Sequence, residues 1–273
     1  MDYTLLLDVD HCLAPFNQDA GTEKVKQLLK EALGERGLLI GDLFGRIFYD
    51  FDSIHHGNQD PKLFSLRDRI NSYKVMVPNE LSGKHVNFMW SRELWLKYLS
   101  DQHALSLDGE TIIRIIDAYW EAISSASQVH PEALDYLRKL DKEKLFIITS
   151  SDKRLAFESD TWEYDPQISQ QKKSIRVQNQ GLRKVFPASH VITGDPIDKP
   201  SQEFWEKVME ITGLSKPSQG IVVDDSLAVV LSGKGFGFRG YLLDRKKFYK
   251  RVDVQDKVDG YITELNQLSE HIE

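Results

Sequence analysis

The chain has 273 residues, of which 41% are apolar and 28% charged, the balance of an ordinary globular protein. A formal net charge of -7 argues against a broad nucleic-acid or anionic-membrane footprint. One cysteine, Cys12, excludes an internal disulfide and predicts a reducing compartment. The start MDYTLLLDVD lacks a basic n-region and its apolar run is short; the expectation is a cytoplasmic protein without signal peptide or transmembrane span.

In chain order, the first predicted element is a buried strand over residues 3–9 that runs into two aspartates, Asp8 and Asp10. The next stretch carries helical periodicity in TEKVKQLLKEAL, LLIGDLFGRIFYDF, PKLFSLRDRINSY, SRELWLKYL and GETIIRIIDAYWEAI, with no comparable strand. Parallel crossovers need only about a dozen residues, so residues 14–127 amount to an inserted all-helical domain. Because it leaves and returns beside the carboxylates, a lid is expected. Residues 1–13 and 128–273 make up the core. A helix is predicted over PEALDYLRKLDKE (131–143), followed by a strand in KLFIITS (144–150). The polar segment 152–180 gives no clear element. ASHVITGD (188–195), GIVVDD (220–225) and RGYLLD (239–244) read as further strands, with a serine-capped helix over 201–214. Strands alternating with helices predict an α/β fold, a doubly wound parallel sheet.

In such a sheet, ligands bind outside the carboxyl ends of the strands. Those ends carry Asp8 and Asp10, then Thr149, Ser150 and Ser151, then Asp224 and Asp225, with Lys199 just past the third strand. Up to four carboxylates at one edge repel unless a cation sits among them. Hard oxygen donors suit Mg²⁺, and Mg²⁺ beside a lysine and hydroxyls suits a phosphoryl group.

Four ordered motifs make the chain resemble the haloacid dehalogenase superfamily: the strand ending in Asp8-Val9-Asp10-His11-Cys12-Leu13, FIITSS with Thr149, Lys199-Pro200, and IVVDDS with Asp224 and Asp225. The helical insertion is similar to that family's cap. The resemblance implies a Mg²⁺-dependent phosphohydrolase acting on a small phosphorylated metabolite. It assigns Asp8 as nucleophile and Asp10 as general acid and base, with Lys199 offsetting negative charge and binding substrate. Thr149 and Ser150 would bind substrate. Asp8, Asp10 (through its carbonyl), Asp224 and Asp225 would hold the metal. No nucleic-acid or membrane partner is expected, and nothing in the sequence specifies an oligomeric state. A 2-haloacid dehalogenase, a phosphomutase and a non-catalytic phospholigand-binding protein are the alternatives; Asp10 argues against the first.

Cys12 stands where the family usually has Thr or Val and reads as packing, with His11 expected to point the other way in a strand. GFGFRG (235–240) precedes a strand, so it reads as a helix-ending turn rather than a dinucleotide fingerprint. His55 and His56 read as a solvated pair, Trp90, Trp95 and Trp120 as packing of the inserted domain. Lys172-Lys173 and Lys246-Lys247 read as solvated charge.

Overall fold

The structure, a computed structural model, describes residues 3–55, 58–84 and 86–272. Its elements begin with β1 (Thr4–Leu7), α1 (Gln18–Leu33), α2 (Glu35–His55), α3 (Pro61–Asn71), β2 (Val75–Met76), α4 (Arg92–Gln102) and α5 (Gly109–Ala126). They continue with α6 (Pro131–Leu137), β3 (Leu145–Thr149), β4 (Ala156–Glu158), β5 (Thr161–Glu163), α7 (Pro166–Val177), β6 (Val191–Thr193) and α8 (Gln202–Thr212). The last are β7 (Gly220–Asp224), α9 (Leu227–Phe236), β8 (Arg239–Leu243), α10 (Arg251–Val254), β9 (Gly260–Ile262) and α11 (Ser269–Ile272). His56 lies outside the described residues.

The chain forms two units, one comprising Met1–Phe16, Ser127–Ser151 and Lys173–Glu273, the other Asn17–Ala126 and Asp152–Lys172. The sequence reading places 152–172 in the core, whereas the structure groups that segment with the helical unit.

The first unit is built on a six-stranded sheet in the order β6-β3-β1-β7-β8-β9, parallel throughout. Counted as the chain visits them, its strands lie third, second, first, fourth, fifth, sixth. That order reverses direction between β1 and β7, the place where doubly wound sheets open a crevice for ligands. Side chains alternate between two buried faces. Leu5, Leu7, Ile147 and Val223 join one apolar cluster; Leu6, Ile148, Val222 and Ile192 join another. Burial on both faces explains why these strands read as uninterrupted apolar runs. α8 has the predicted start, with Ser201 Oγ accepting from Phe204 N, and stops at Gly213 in the left-handed region (φ 66°). The glycine-rich run behaves as expected too: α9 ends at Gly237 (φ 111°) immediately before β8. α6 is shorter than its periodicity suggests, ending at Leu137.

The second unit contains α1 to α5. Gly21 on α1 allows close approach to α5, since a Cβ there would come within 2.5 Å of the Tyr119 ring. Trp95 and Trp120 are buried as expected, and Trp90 is half-buried against Phe51 and Trp95. The unit is not wholly helical: β2, β5 and β4 form a small sheet. β4 and β5 are antiparallel, joined through Ser159 and Asp160 with φ of 48° and 60°, the positive φ at both loop positions of the tightest hairpins. Among the described residues, no helix is long and apolar enough to cross a membrane.

Candidate active site

The register of the central strands assembles the site. Leu7 pairs with Val223, and Asp8 N donates to the Val223 carbonyl at 2.9 Å, so Asp8 and Asp224 leave adjacent strands at the same level. Asp8, Asp224 and Asp225 each offer an oxygen within 4.8 Å of the others. Lys199 closes the group. Its Nζ donates to Asp8 Oδ1 and Asp224 Oδ2, both at 2.7 Å, and to the Ile148 carbonyl at 3.3 Å, which uses all three ammonium donors. Asp224 is fixed further by Ser226 N, which donates to Oδ1 at 2.8 Å.

Three carboxylates face one ammonium. Burial pushes the Asp8 carboxyl up; Lys199 opposes that, Asp224 and Asp10 add to it, and the outcome is a pKa of about 7. Burial, then Asp224 and Asp8, pushes Asp225 well above the ordinary carboxylate range. Lys199 responds in the complementary sense: burial alone would lower it, but Asp224 and Asp8 raise it, so it stays charged. A hard divalent cation would neutralise the two surplus negative charges, and three convergent carboxylate oxygens are donors of the kind such an ion takes.

Asp10 lies two residues on, in a different setting. Arg176 grips its carboxylate with both terminal nitrogens, Nη1 to Oδ1 at 3.0 Å and Nη2 to Oδ2 at 2.7 Å. Lys173 Nζ adds a contact to Oδ2 at 3.2 Å. Burial would raise the Asp10 pKa, but Arg176 and Lys173 overcome it and hold the carboxyl well below the usual range. The Asp10 side chain is thus turned to α7, outside the carboxylate trio. Lys173 corrects the sequence reading: it is 1% exposed and ion-paired, not solvated charge. Lys172, partly exposed, does fit a surface role, pairing with Asp117 at 3.3 Å.

His11 is also corrected. The chain turns after β1, and Cys12, Leu13 and Ala14 N–H groups all converge on the Val9 carbonyl. His11 sits in the left-handed region (φ 64°) instead of a strand, with Nε2 3.5 Å from Lys246 Nζ. Cys12 is fully buried in the core, its Sγ 3.7 Å from the Val223 carbonyl. Burial, with Asp8 and Asp224 nearby, pushes its thiol up, the opposite of an activated nucleophile.

Thr149 is buried at the end of β3, while Ser150 is exposed just beyond it. Ser151 Oγ donates to Asp195 Oδ1. Sequence reasoning missed Arg176, Lys173 and Asp195. The first two lie one helical turn apart on α7, but the partner that buries them, Asp10, is far away in sequence and nothing local marks them. Asp244, at the end of β8, is a different kind of strand-end acid: it is buried and accepts from Phe248 N, Tyr249 N and Tyr261 Oη, a loop anchor.

The haloacid dehalogenase-like hydrolase family matches residues 6–237 of the chain. No curated protein matches it in sequence. Among solved structures it is similar to a HAD phosphatase from Thermococcus onnurineus (16% identity, TM-score 0.55, covering 98% of this chain and 96% of that one). It is similar to the L-2-haloacid dehalogenase RSc1362 (16% identity, TM-score 0.56, 98% and 97% covered). The L-2-haloacid dehalogenase from Xanthobacter autotrophicus is another (16% identity, TM-score 0.54, 99% and 98% covered). At these identities the likeness establishes the fold.

Proposed function

The chain belongs to the haloacid dehalogenase-like hydrolases, and from that premise we propose that it is a Mg²⁺-dependent phosphohydrolase acting on a small phosphorylated metabolite. The observation that carries this reading is the buried trio Asp8, Asp224 and Asp225 with Lys199 bridging the first two. Lys199 occupies Asp8 Oδ1, which leaves Oδ2 to attack phosphorus. One bond forms from Asp8 to phosphorus and the bond to the leaving oxygen breaks, giving an aspartyl-phosphate. Asp10 delivers a proton to the leaving oxygen and later removes one from the hydrolytic water. To do so it must exchange contacts with Arg176 and Lys173. Lys199 offsets charge on the nucleophile and phosphoryl group, and Thr149 and Ser150 donate to phosphoryl oxygens. Mg²⁺, held by Asp8, Asp224, Asp225 and the Asp10 carbonyl, would supply charge neutralisation at the phosphoryl oxygens.

Nothing among these residues reads a macromolecule, and the net charge of -7 disfavours a polyanionic one, so the substrate class is a small phosphate monoester. Phosphate release from an aryl phosphate and then a phosphometabolite panel, each with Mg²⁺ or chelator, tests the reading. Turnover with Mg²⁺ and none with chelator is expected; metal-independent turnover overturns the metal assignment.

A second reading, a 2-haloacid dehalogenase, is favoured by one observation: Asp10 is held ionised by Arg176 and Lys173. A halide departs without needing a proton, so such chemistry would leave that clamp undisturbed. Halide release from a 2-haloacid in chelator would select it.

A further inference from the structure

We infer that the start of α4 is a binding site for a small oxyanion, a carboxylate or phosphate group, received by Arg92 within a ring of aromatic side chains. Arg92 is the first residue of α4 and is 4% exposed. Its guanidinium carbon lies 4.3 Å from the Trp95 ring centroid, 5.1 Å from Trp120, 5.2 Å from Trp90 and 5.9 Å from Phe48. Nη1 donates to the Trp90 carbonyl at 2.6 Å, so the group folds back beside the helix start. Nε is buried and has no acceptor.

The charge here is uncompensated. Among the described residues, no carboxylate pairs with Arg92. Glu93 and Asp117, two acids of the same helical unit, are engaged elsewhere. Glu93, fully buried, gives Oε1 to Arg154 Nε at 2.8 Å and Oε2 to Ser91 Oγ at 3.0 Å. Asp117 takes Arg154 Nη2 and Lys172 Nζ. These two carboxylates thus serve Arg154 and Lys172 and not Arg92.

Position makes the surplus worse. A helix N-terminus carries partial positive charge and favours anions, yet here it is occupied by a buried cation. Ser91, the cap residue, turns its hydroxyl to Glu93 and makes no capping bond, so the first-turn N–H groups have no side-chain cap. Aromatic faces attract a guanidinium above and below its plane but do not accept the N–H groups lying in that plane. An oxyanion supplies in-plane acceptors in the fork geometry arginine presents, together with the missing negative charge.

The test is tryptophan emission of the full chain titrated with inorganic phosphate and, separately, acetate, both with chelator present. Trp90, Trp95 and Trp120 surround Arg92 and report on it. The expected result is a saturable change with at least one of the two anions, which identifies the preferred class. Arg92→Lys keeps the charge and loses the fork, and should weaken binding by about tenfold or more. Arg92→Met should abolish it, with folding checked by circular dichroism; if that variant does not fold, Arg92→Lys decides. Lys199→Met, which removes the cation of the carboxylate trio, should leave the response in place in protein that circular dichroism shows to be folded. A response unchanged in Arg92→Lys, a response lost in folded Lys199→Met, or no response to either anion in the folded wild type overturns the proposal.

Discussion

Asp8 and Asp10 are separated by one residue, yet their surroundings push them in opposite directions. Asp8 sits with two further carboxylates and a single ammonium, and its pKa rises to about 7. Asp10 sits with a guanidinium and an ammonium, and its pKa falls well below the usual range. The strand end therefore divides into an anion-rich pocket that calls for a cation and an adjoining cation-rich pocket that keeps a carboxylate charged. Pairs of acids driven apart in this way are how one site assigns different tasks to identical side chains. Here the lesson is that a buried carboxylate cluster short of positive charge stands beside a carboxylate whose charge is set by α7.

The comparison is broken hardest at Asp8. Asp8→Asn removes the proposed nucleophile while preserving size, and turnover should fall by on the order of 10⁴-fold or more in a phosphate-release assay. Near-normal turnover would refute the assigned role. The same variant sharpens the electrostatic half. With a folded pKa of about 7 against 3.8, the folded state holds a proton that the unfolded state has released. Stability of the metal-free protein should therefore decline as pH rises from about 4 to 7. Asp8→Asn should flatten that part of a melting-temperature profile, and Mg²⁺ should restore stability to the wild type at the upper end.

Lys199→Ala comes next. It leaves Asp8 and Asp224 without the ammonium at 2.7 Å from each, and removing one partner of a buried pair costs about 3–5 kcal/mol. Denaturant melts should show the loss, and Mg²⁺ should recover more stability in this variant than in the wild type because the ion replaces the missing charge. Lys199→Arg should rescue poorly, as the guanidinium is larger and shaped for a different fork. No destabilisation in Lys199→Ala would mean that the trio is not charged as drawn.

Arg176→Met tests the other pocket. Asp10 keeps Lys173 but loses its two-pronged partner. If Asp10 exchanges protons in the reaction, the pH–rate profile should move to higher pH as the Asp10 pKa relaxes upward. An altered melting temperature with an unmoved pH profile would mark Arg176 as purely structural and favour the dehalogenase reading.

The two pockets were not equally legible in the sequence. Asp8, Asp224, Asp225 and Lys199 follow apolar runs, and in a parallel sheet the ends of such runs converge by topology alone. Nothing local signals that Lys173 and Arg176 are buried. α7 is polar by composition, and its basic face is covered through Asp10, 163 and 166 residues away in sequence. The hairpin of β4 and β5 hid for a similar reason: its loop uses Ser159 and Asp160 in positive φ without the glycine that usually announces such a turn. β9 is only three residues long and includes Gly260, too short for a period to show. His11 was misplaced because the strand period was carried past Leu7, where the chain turns.

The smallest expected effect is at Cys12, which borders both pockets in sequence and belongs to neither. Its side chain is fully buried among Leu7, Leu13 and Val223 in one core cluster, and its thiol is pushed up by burial. A group that stays protonated in an apolar setting contributes volume rather than reactivity. Cys12→Val keeps the shape approximately and forfeits only the weak contact of Sγ to the Val223 carbonyl. Volume-conserving core changes cost less than about 1.5 kcal/mol, so chemical denaturation should register a small loss and turnover should be unchanged. The folded wild type should likewise resist iodoacetamide at neutral pH, because the thiolate is scarce and the sulfur is inaccessible. Loss of activity in Cys12→Val on the scale of Asp8→Asn, or rapid alkylation that parallels inactivation, would move the chemistry from the aspartate to the cysteine.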